Sequence, residues 1–107
     1  MKKHTYTIIF IVFFSSKNFA NHTEVTFVTE HLPPYQIMND DSSLGGFATE
    51  IVLEVAKRAN IKYSLTGYPW VRTYNLALKK RNHCIFSIAR IPNREKLFEW
   101  IGPITEK

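Results

Sequence analysis

The sequence predicts an α/β fold with a mostly parallel sheet and flanking helices. Segments with strand-like alternation and segments with apolar residues at helical spacing follow one another as strand, helix, strand, helix, strand. A helix between two strands lets them run in parallel through a right-handed crossover. An apolar run that starts at Cys84 and stops at Pro92 reads as the third strand of this sheet. Because ligands bind at the carboxyl ends of such strands, the residues after this run are the first candidates for a site.

The first predicted elements are a strand and a hairpin. Residues 24–30 alternate and are rich in β-branched side chains, which is typical of a strand. Pro33 and Pro34 end this strand because they remove backbone donors and fix an extended turn. A short strand is predicted over residues 35–38, followed by a polar hairpin tip over residues 39–43.

Two amphipathic helices follow. In residues 47–59 apolar side chains recur at helical spacing, with acids early and bases late. A strand is predicted over residues 61–65. The second helix opens at residues 68–70, where a proline occupies the first turn, and closes on the basic run 79–81. That run is therefore interpreted as a helix C-terminus and not as a binding patch. A last short strand is predicted over residues 97–101.

Residues 1–20 have the three-part layout of a secretory signal peptide. Basic residues come first, an apolar run occupies residues 8–14, and polar and small residues lead to Ala20. The apolar run is too short to span a bilayer. We expect cleavage after Ala20, which leaves residues 21–107 as the mature part; an N-terminal helix or an uncleaved anchor is the alternative.

The positive charge of the chain is concentrated in this leader. The 107 residues include 14 Lys and Arg against 9 Asp and Glu, a net charge of +5. Lys2, Lys3 and Lys17 lie in the leader, which has no acid, so 11 bases and 9 acids remain from Asn21 onward. This balance gives no strong electrostatic case for nucleic acid, and no such partner is expected.

Catalytic and metal chemistry have little support in the sequence. Cys84 is the only cysteine, which excludes an internal disulfide and a two-cysteine metal site. Its apolar neighbours favour an unreactive thiol. Glu30 beside His31 suggests an acid-base or metal site, with His83 or Cys84 as further ligands, but no helically spaced histidines and no nucleophile with an ordered base accompany them. No catalytic residue, metal or cofactor is expected.

Five short sequence motifs follow one another in order along the mature chain. They are a Pro-Pro-Tyr turn at 33–35, a Gly-Phe pair at 46–47, Tyr-Pro-Trp-Val-Arg at 68–72, the stretch 86–94, and Phe-Glu-Trp-Ile-Gly-Pro at 98–103. Together, in this order and spacing, they resemble the N-terminal part of the bacterial extracellular solute-binding proteins of family 3. The resemblance runs over about residues 25–104.

This resemblance implies a periplasmic-binding-protein-like (type II) lobe. Family members have two lobes that hold a ligand between them and close by a hinge. Residues 21–107 would then be the N-terminal part of the first lobe, incomplete and truncated before the second. The implied ligand is a small polar or carboxylated solute such as an amino acid. The implied partner is the membrane permease of an ABC-type importer, with the binding protein a monomer in the periplasm.

The resemblance also implies ligand-binding residues. Arg94 matches the arginine that pairs with the ligand carboxylate, a task that suits the planar fork of a guanidinium. Ser87 matches a hydroxyl or backbone contact just upstream, and Trp70 takes the place of an aromatic at the cleft wall. The chain departs from the family at Ala89, where amino-acid receptors commonly have Ser or Thr, and at Arg90, a further candidate ligand residue where they usually have an apolar one.

Two further candidates lie in the first loop, and several alternatives stay open. Glu30 differs from the family's usual short polar pair, and Tyr35 could either stack on a ligand or plug the base of the turn. Arg94 could instead be a surface arginine paired with a neighbouring glutamate, and Trp70 could be a core residue.

Other functions also stay open at this level. An enzyme on the same fold, of a dehydratase type, would use Glu30 as general acid or base, which requires a raised carboxyl pKa. A sensor lobe of a larger receptor and a nonfunctional remnant are the remaining alternatives.

Overall fold

The computed structural model describes residues 24–105, and its first seven elements follow the predicted order. The elements are β1 (Val25–Thr29), β2 (Ile37–Met38), β3 (Leu44–Gly45), α1 (Phe47–Arg58), β4 (Tyr63–Gly67), α2 (Trp70–Lys79), β5 (His83–Ile85) and a 3-10 turn (Pro92–Arg94). The predicted signal peptide, residues 1–20, lies outside the described residues. Within the described part, no helix has the length and apolar character needed to cross a membrane.

A parallel sheet carries the fold. Its strand order is β4-β1-β5, and β1 pairs in parallel with both neighbours. Thr29 lies opposite Gly67, and Val28 lies opposite Ile85. The helices α1 and α2 provide the crossovers that parallel neighbours require. The predicted α/β class is confirmed, and the carboxyl ends of the three strands meet at one edge.

The core lies between α1 and the sheet. Its buried members are Phe27, Ala48, Val52, Ala56 and Phe86. The three residues from α1 are spaced four apart and therefore form one stripe of the helix, as the sequence pattern predicted. Full burial of a side chain the size of Val52 stabilises the fold by about 1.5–3 kcal/mol, so this stripe is what fixes α1 on the sheet.

A left-handed residue ends α1 and delays the next strand. Asn60 has a φ of 53°. Its N–H donates to the carbonyl of Lys57, and the N–H of Ile61 donates to the carbonyl of Ala56. This is the Schellman arrangement, which satisfies the last carbonyls of a helix. Because Ile61 is used to close the helix, β4 begins at Tyr63 and not at the predicted residue 61.

The predicted hairpin joins β1 to α1. In its tip, Asp41 Oδ1 accepts hydrogen bonds from the N–H and the hydroxyl of Ser43, at 3.0 and 2.6 Å. These bonds lower the pKa of the Asp41 carboxyl. After the hairpin, Gly46 has a φ of 92°, and a Cβ at this position would lie 2.5 Å from the carbonyl oxygen of Tyr35. Only glycine fits this close approach of two backbones.

The strand predicted over residues 97–101 is wrong. This segment forms a turn and irregular backbone, with Leu97 51% and Ile101 88% exposed. The rings of Phe98 and Trp100 contact each other edge-on at 5.6 Å, and Phe98 also packs on α2. The alternation in the sequence therefore comes from Phe98, which packs on α2, and Trp100, which packs on Phe98, and not from pairing with a strand.

Candidate functional site

A depression lies where β1 and β4 end. It has a volume of about 340 Å³ and is lined by Glu30, His31, Met38, Gly67, Tyr68, Pro69 and Trp70. The lining comes from the residues that follow β1, the end of β4 and the residues after it, the first residue of α2, and one hairpin residue. A larger hollow of about 510 Å³ lies between the C-terminal half of α1 and the start of β4. We place the site in the first depression because ligands of parallel sheets bind at the carboxyl ends of the strands.

Two threonines tie this edge together. The hydroxyl of Thr73 shares its one proton between the carbonyls of Thr29 and Tyr68, at 3.3 and 3.2 Å. The hydroxyl of Thr29 donates to the carbonyl of Phe86 at 3.2 Å, and the N–H of Tyr68 donates to the carbonyl of Thr29 at 2.9 Å. Both threonines are fully buried, where an unpaired hydroxyl would be costly. Hydrogen bonds therefore connect the ends of all three strands to the first turn of α2.

An arginine lies against two aromatic rings of α2. The guanidinium carbon of Arg94 is 5.3 Å from the centre of the Trp70 ring and 5.4 Å from that of Tyr74, within the range of cation–π attraction. The two rings contact each other at 5.6 Å. Arg94 is half-buried, and no carboxylate of residues 24–105 lies within ion-pair distance of it. Its charge is therefore held in place without being neutralised by the described chain.

The loop after β5 sets the position of Arg94. Pro92 begins a 3-10 turn in which the N–H of Arg94 donates to the carbonyl of Ile91 at 2.9 Å. The Nη1 of Arg94 donates to the carbonyl of Ala89 at 3.3 Å. Both bonds fold the loop back on itself, which points the arginine toward the start of α2.

Ser87 occupies the loop immediately beyond β5. It is half-buried and has a φ of 59°, the left-handed region that residues other than glycine rarely adopt. Such a conformation costs on the order of 1–3 kcal/mol and is enriched at ligand sites. The preceding residue continues the sheet pairing, since the N–H of Phe86 donates to the carbonyl of Val28 at 3.3 Å. Ser87 thus stands at the same edge as the depression.

Arg90 has a different environment from Arg94. Its Nε and Nη2 donate to the two carboxylate oxygens of Glu95, at 2.8 and 2.5 Å, which is the bidentate geometry of a strong pair. Its guanidinium carbon also lies 5.4 Å from the centre of the Trp100 ring. The hydrogen bond from Arg90 lowers the pKa of the Glu95 carboxyl. Arg90 therefore already has an anionic partner within the chain.

Tyr35 lies outside the lining of the depression. Its ring packs on Phe47, with ring centres 5.0 Å apart, and its carbonyl accepts a hydrogen bond from the N–H of Ala48 at 2.8 Å. These contacts hold the proline turn against the start of α1. These contacts favour the plug alternative for Tyr35.

The structure does not bring His83 and Cys84 to Glu30 and His31 as the acid-base and metal hypothesis requires. His83 pairs opposite Thr26, so it lies at the other end of β1 from Glu30, roughly 13 Å away at about 3.3 Å per strand residue. His31 Nδ1 already accepts a hydrogen bond from the N–H of Met38 at 2.9 Å. Burial raises the pKa of the Cys84 thiol, which disfavours the thiolate that a metal would need. Across the described residues, no three His, Cys, Asp or Glu side chains group as metal ligands would.

The structure brings most of the predicted ligand residues to one edge of the sheet. The residues at this edge are Glu30, Trp70, Ser87 and Arg94. Sequence reasoning missed Thr29, Thr73 and Tyr74, which position them. The available signal was a threonine at the end of an apolar strand and another inside a helix, because a buried hydroxyl needs a hydrogen-bond partner.

Ligands of α/β proteins bind at carboxyl edges of this kind, and here the edge carries an aromatic wall and an arginine that no carboxylate of residues 24–105 neutralises. The family model of the bacterial extracellular solute-binding proteins, family 3, matches residues 25–107, and the chain belongs to this family. This membership places the chain among solute-binding proteins. No curated protein matches the chain at a significant level.

A solved structure has a similar fold. It is a point mutant of the arginine-bound form of domain 1 from TmArgBP, which matches with a TM-score of 0.57 at 16% sequence identity. The match covers 68% of this chain and 58% of that one, so the chain spans a little over half of that domain's length. At this identity the likeness establishes the fold alone.

Proposed function

We propose that the chain is part of a periplasmic solute-binding protein that holds a small polar or carboxylated solute, such as an amino acid, and delivers it to the permease of an ABC-type importer. The observation that carries this proposal is Arg94. Its guanidinium is held half-buried against Trp70 and Tyr74, beside the carboxyl ends of parallel strands, without a carboxylate partner in residues 24–105.

The chemistry of this edge suits a solute that carries a carboxylate. A guanidinium donates two parallel hydrogen bonds to a carboxylate, and its pair is strongest where water is partly excluded. Trp70 forms one wall of the depression and Glu30 another. A solute with an amino group as well as a carboxylate would place its positive charge near Glu30 and its negative charge near Arg94. The arginine bound by the domain of similar fold has both kinds of group.

The opposite wall of the site would come from a second lobe. In the proposed protein the two lobes close around the solute, which removes it from water and strengthens each polar contact. Ser87 would contribute its hydroxyl or backbone N–H from the neighbouring strand end. Tyr35 and Arg90 belong to the proposed protein as supporting residues, because both have partners within the chain. The protein is proposed to act as a monomer.

The test is ligand-dependent stabilisation of the full-length protein, with both lobes present. This protein is titrated with the standard L-amino acids and with small mono- and dicarboxylates, while thermal unfolding and heat of binding are recorded. A ligand that binds only the folded state at about 100 times its Kd stabilises it by about 2.7 kcal/mol. For a carboxylated ligand, Arg94→Ala should remove this stabilisation.

A matched control variant shows whether the loss of ligand binding comes from removing Arg94 or from removing any positive charge. Arg58 is 81% exposed on α1, and its ion-pair partner is Glu54 four residues earlier, so Arg58→Ala removes the same charge away from the site. It should leave the ligand shift intact. An undiminished shift in Arg94→Ala would remove Arg94 from the site, and no shift with any compound of the panel would oppose the proposed ligand class.

A further inference from the structure

Glu95 directly follows Arg94 in the chain, and its carboxylate could weaken anion binding at the proposed site. A free carboxylate beside an anion-binding arginine would act against binding in two ways. It would compete for the guanidinium as an internal ion pair, and it would repel an incoming carboxylate. In the structure both of its oxygens instead accept hydrogen bonds from Arg90.

The loop holds Glu95 away from Arg94 by several contacts. The indole Nε1 of Trp100 donates to the backbone carbonyl of Glu95 at 3.2 Å, and the N–H of Glu95 donates to the carbonyl of Pro92 at 3.3 Å. The ring of Trp100 also lies beside the guanidinium of Arg90. The backbone and the carboxylate of Glu95 are thus fixed independently of each other.

A row of aromatic rings separates the two arginines. The row runs Trp70, Tyr74, Phe98, Trp100, and each step between ring centres is 5.6 Å. Arg94 lies at the Trp70 and Tyr74 end, whereas Arg90 lies at the Trp100 end. Among residues 24–105, this arrangement gives Arg90 an acidic partner, Glu95, and gives Arg94 none.

We infer that Arg90 is a positioning residue that sequesters Glu95, so that the guanidinium of Arg94 stays available to a carboxylate. This inference rests on the proposed function, since it assumes that Arg94 binds an anion. It gives Arg90 a role that acts through Glu95 and not through contact with the solute. It also explains why a bulky cation stands at this position of the chain.

The experiment measures carboxylate binding at Arg94 directly. Sodium acetate replaces sodium chloride at constant ionic strength, and the side-chain Nε–H resonance of Arg94 in the full chain is followed by NMR, with its assignment taken from Arg94→Lys. Wild type is compared with Arg90→Ala, Glu95→Gln and the double variant. In Arg90→Ala the released Glu95 should raise the Kd for acetate about threefold, the size expected of an exposed charge interaction.

The other two variants decide the mechanism. Under sequestration, Glu95→Gln alone should not weaken acetate binding, and adding it to Arg90→Ala should restore the wild-type Kd. If Arg90 contacted the anion itself, the double variant would stay weak, which would overturn the inference. If the pair only braced the loop, Glu95→Gln would weaken binding as much as Arg90→Ala does, which would overturn it too.

The failure of the inference can be told apart from the failure of the proposed function. A wild-type Arg94 resonance that responds to acetate, with a Kd unchanged in Arg90→Ala, overturns only the role of Arg90. A wild-type resonance that does not respond overturns the anion site at Arg94, and the sequestration of Glu95 falls with it. If Arg90→Ala fails to fold by circular dichroism, Arg90→Met takes its place, because it keeps the stem and removes the charge.

Discussion

The candidate site is built from two regions that are held together by different forces. At the sheet edge, the ends of β1 and β4 and the start of α2 are joined by buried hydrogen bonds through Thr29 and Thr73. In the loop of residues 87–101, a row of aromatic rings and the exposed Arg90–Glu95 pair make the contacts. Breaking a buried hydrogen bond leaves a polar group without water, whereas exposed ion pairs contribute little. The buried hydrogen bonds of the sheet edge therefore fix the shape of the site, whereas the side chains of the loop are held by weaker, exposed contacts.

The largest loss of stability is expected where the hairpin, which lines the depression with Met38, meets α1. Gly46→Ala places a Cβ 2.5 Å from the Tyr35 carbonyl oxygen at a positive φ, and should lower the free energy of unfolding by about 3 kcal/mol or more. Urea unfolding measures this loss. Gly45→Ala is the matched control, because its Cβ would meet nothing within 4 Å. Equal losses in the two variants would show that the close backbone approach does not anchor the hairpin.

A smaller loss is expected from the buried hydroxyl that ties α2 to the sheet. Thr73→Val keeps the shape of the side chain but removes the donor to the Thr29 and Tyr68 carbonyls. Its free energy of unfolding should fall by about 1–3 kcal/mol. Thr73→Ser retains the hydroxyl and should lose clearly less. If the serine variant were as unstable as the valine variant, the methyl group and not the hydrogen bond would hold this edge.

The loop should respond to the loss of its aromatic contacts. Phe98 lies between Tyr74 and Trp100, and Phe98→Leu keeps an apolar side chain while removing both ring pairs. We expect a loss of about 1 kcal/mol in stability, the size of aromatic pair contributions. The Arg94 Nε–H resonance should also broaden or shift. Leu97→Ala, at a position 51% exposed, is the control and should change neither.

The sequence predicted the sheet edge better than the loop, for a physical reason. Strands and helices carry a period that repeats over many residues, so the order of elements and the parallel sheet could be inferred from it. The boundary of β4 was missed because Asn60 adopts the left-handed conformation, which allows Ile61 to close the helix. A single turn residue of this kind shifts an element without changing its pattern.

The loop has no such period, and its pairing could not be read from spacing. The partner of Arg90 is five residues away across a 3-10 turn, and the alternation in residues 97–101 reflects packing on α2. Arg94 was found from its place after the third strand and from the family resemblance. Within the described part of the chain, Arg90 has a carboxylate partner and Arg94 has none, and this difference depends on side-chain geometry that only the folded loop defines.

The smallest expected effect is a dependence of the loop on pH. The hydrogen bond from Arg90 lowers the pKa of the Glu95 carboxyl in the folded chain. The pair therefore stabilises the fold fully above the ordinary carboxyl pKa of the unfolded chain, and this contribution is lost as the pH falls through the lower folded value. The difference in unfolding free energy between wild type and Glu95→Gln should then be constant near neutral pH and shrink toward zero in acid. High salt should reduce it as well, because both side chains are about half exposed.

Glu99→Gln removes a neighbouring acid as the control. A difference that kept its size in acid and in salt would mean that the Glu95 carboxylate does not pair with Arg90 in solution, and the contrast between the two arginines would then have to come from the rings alone.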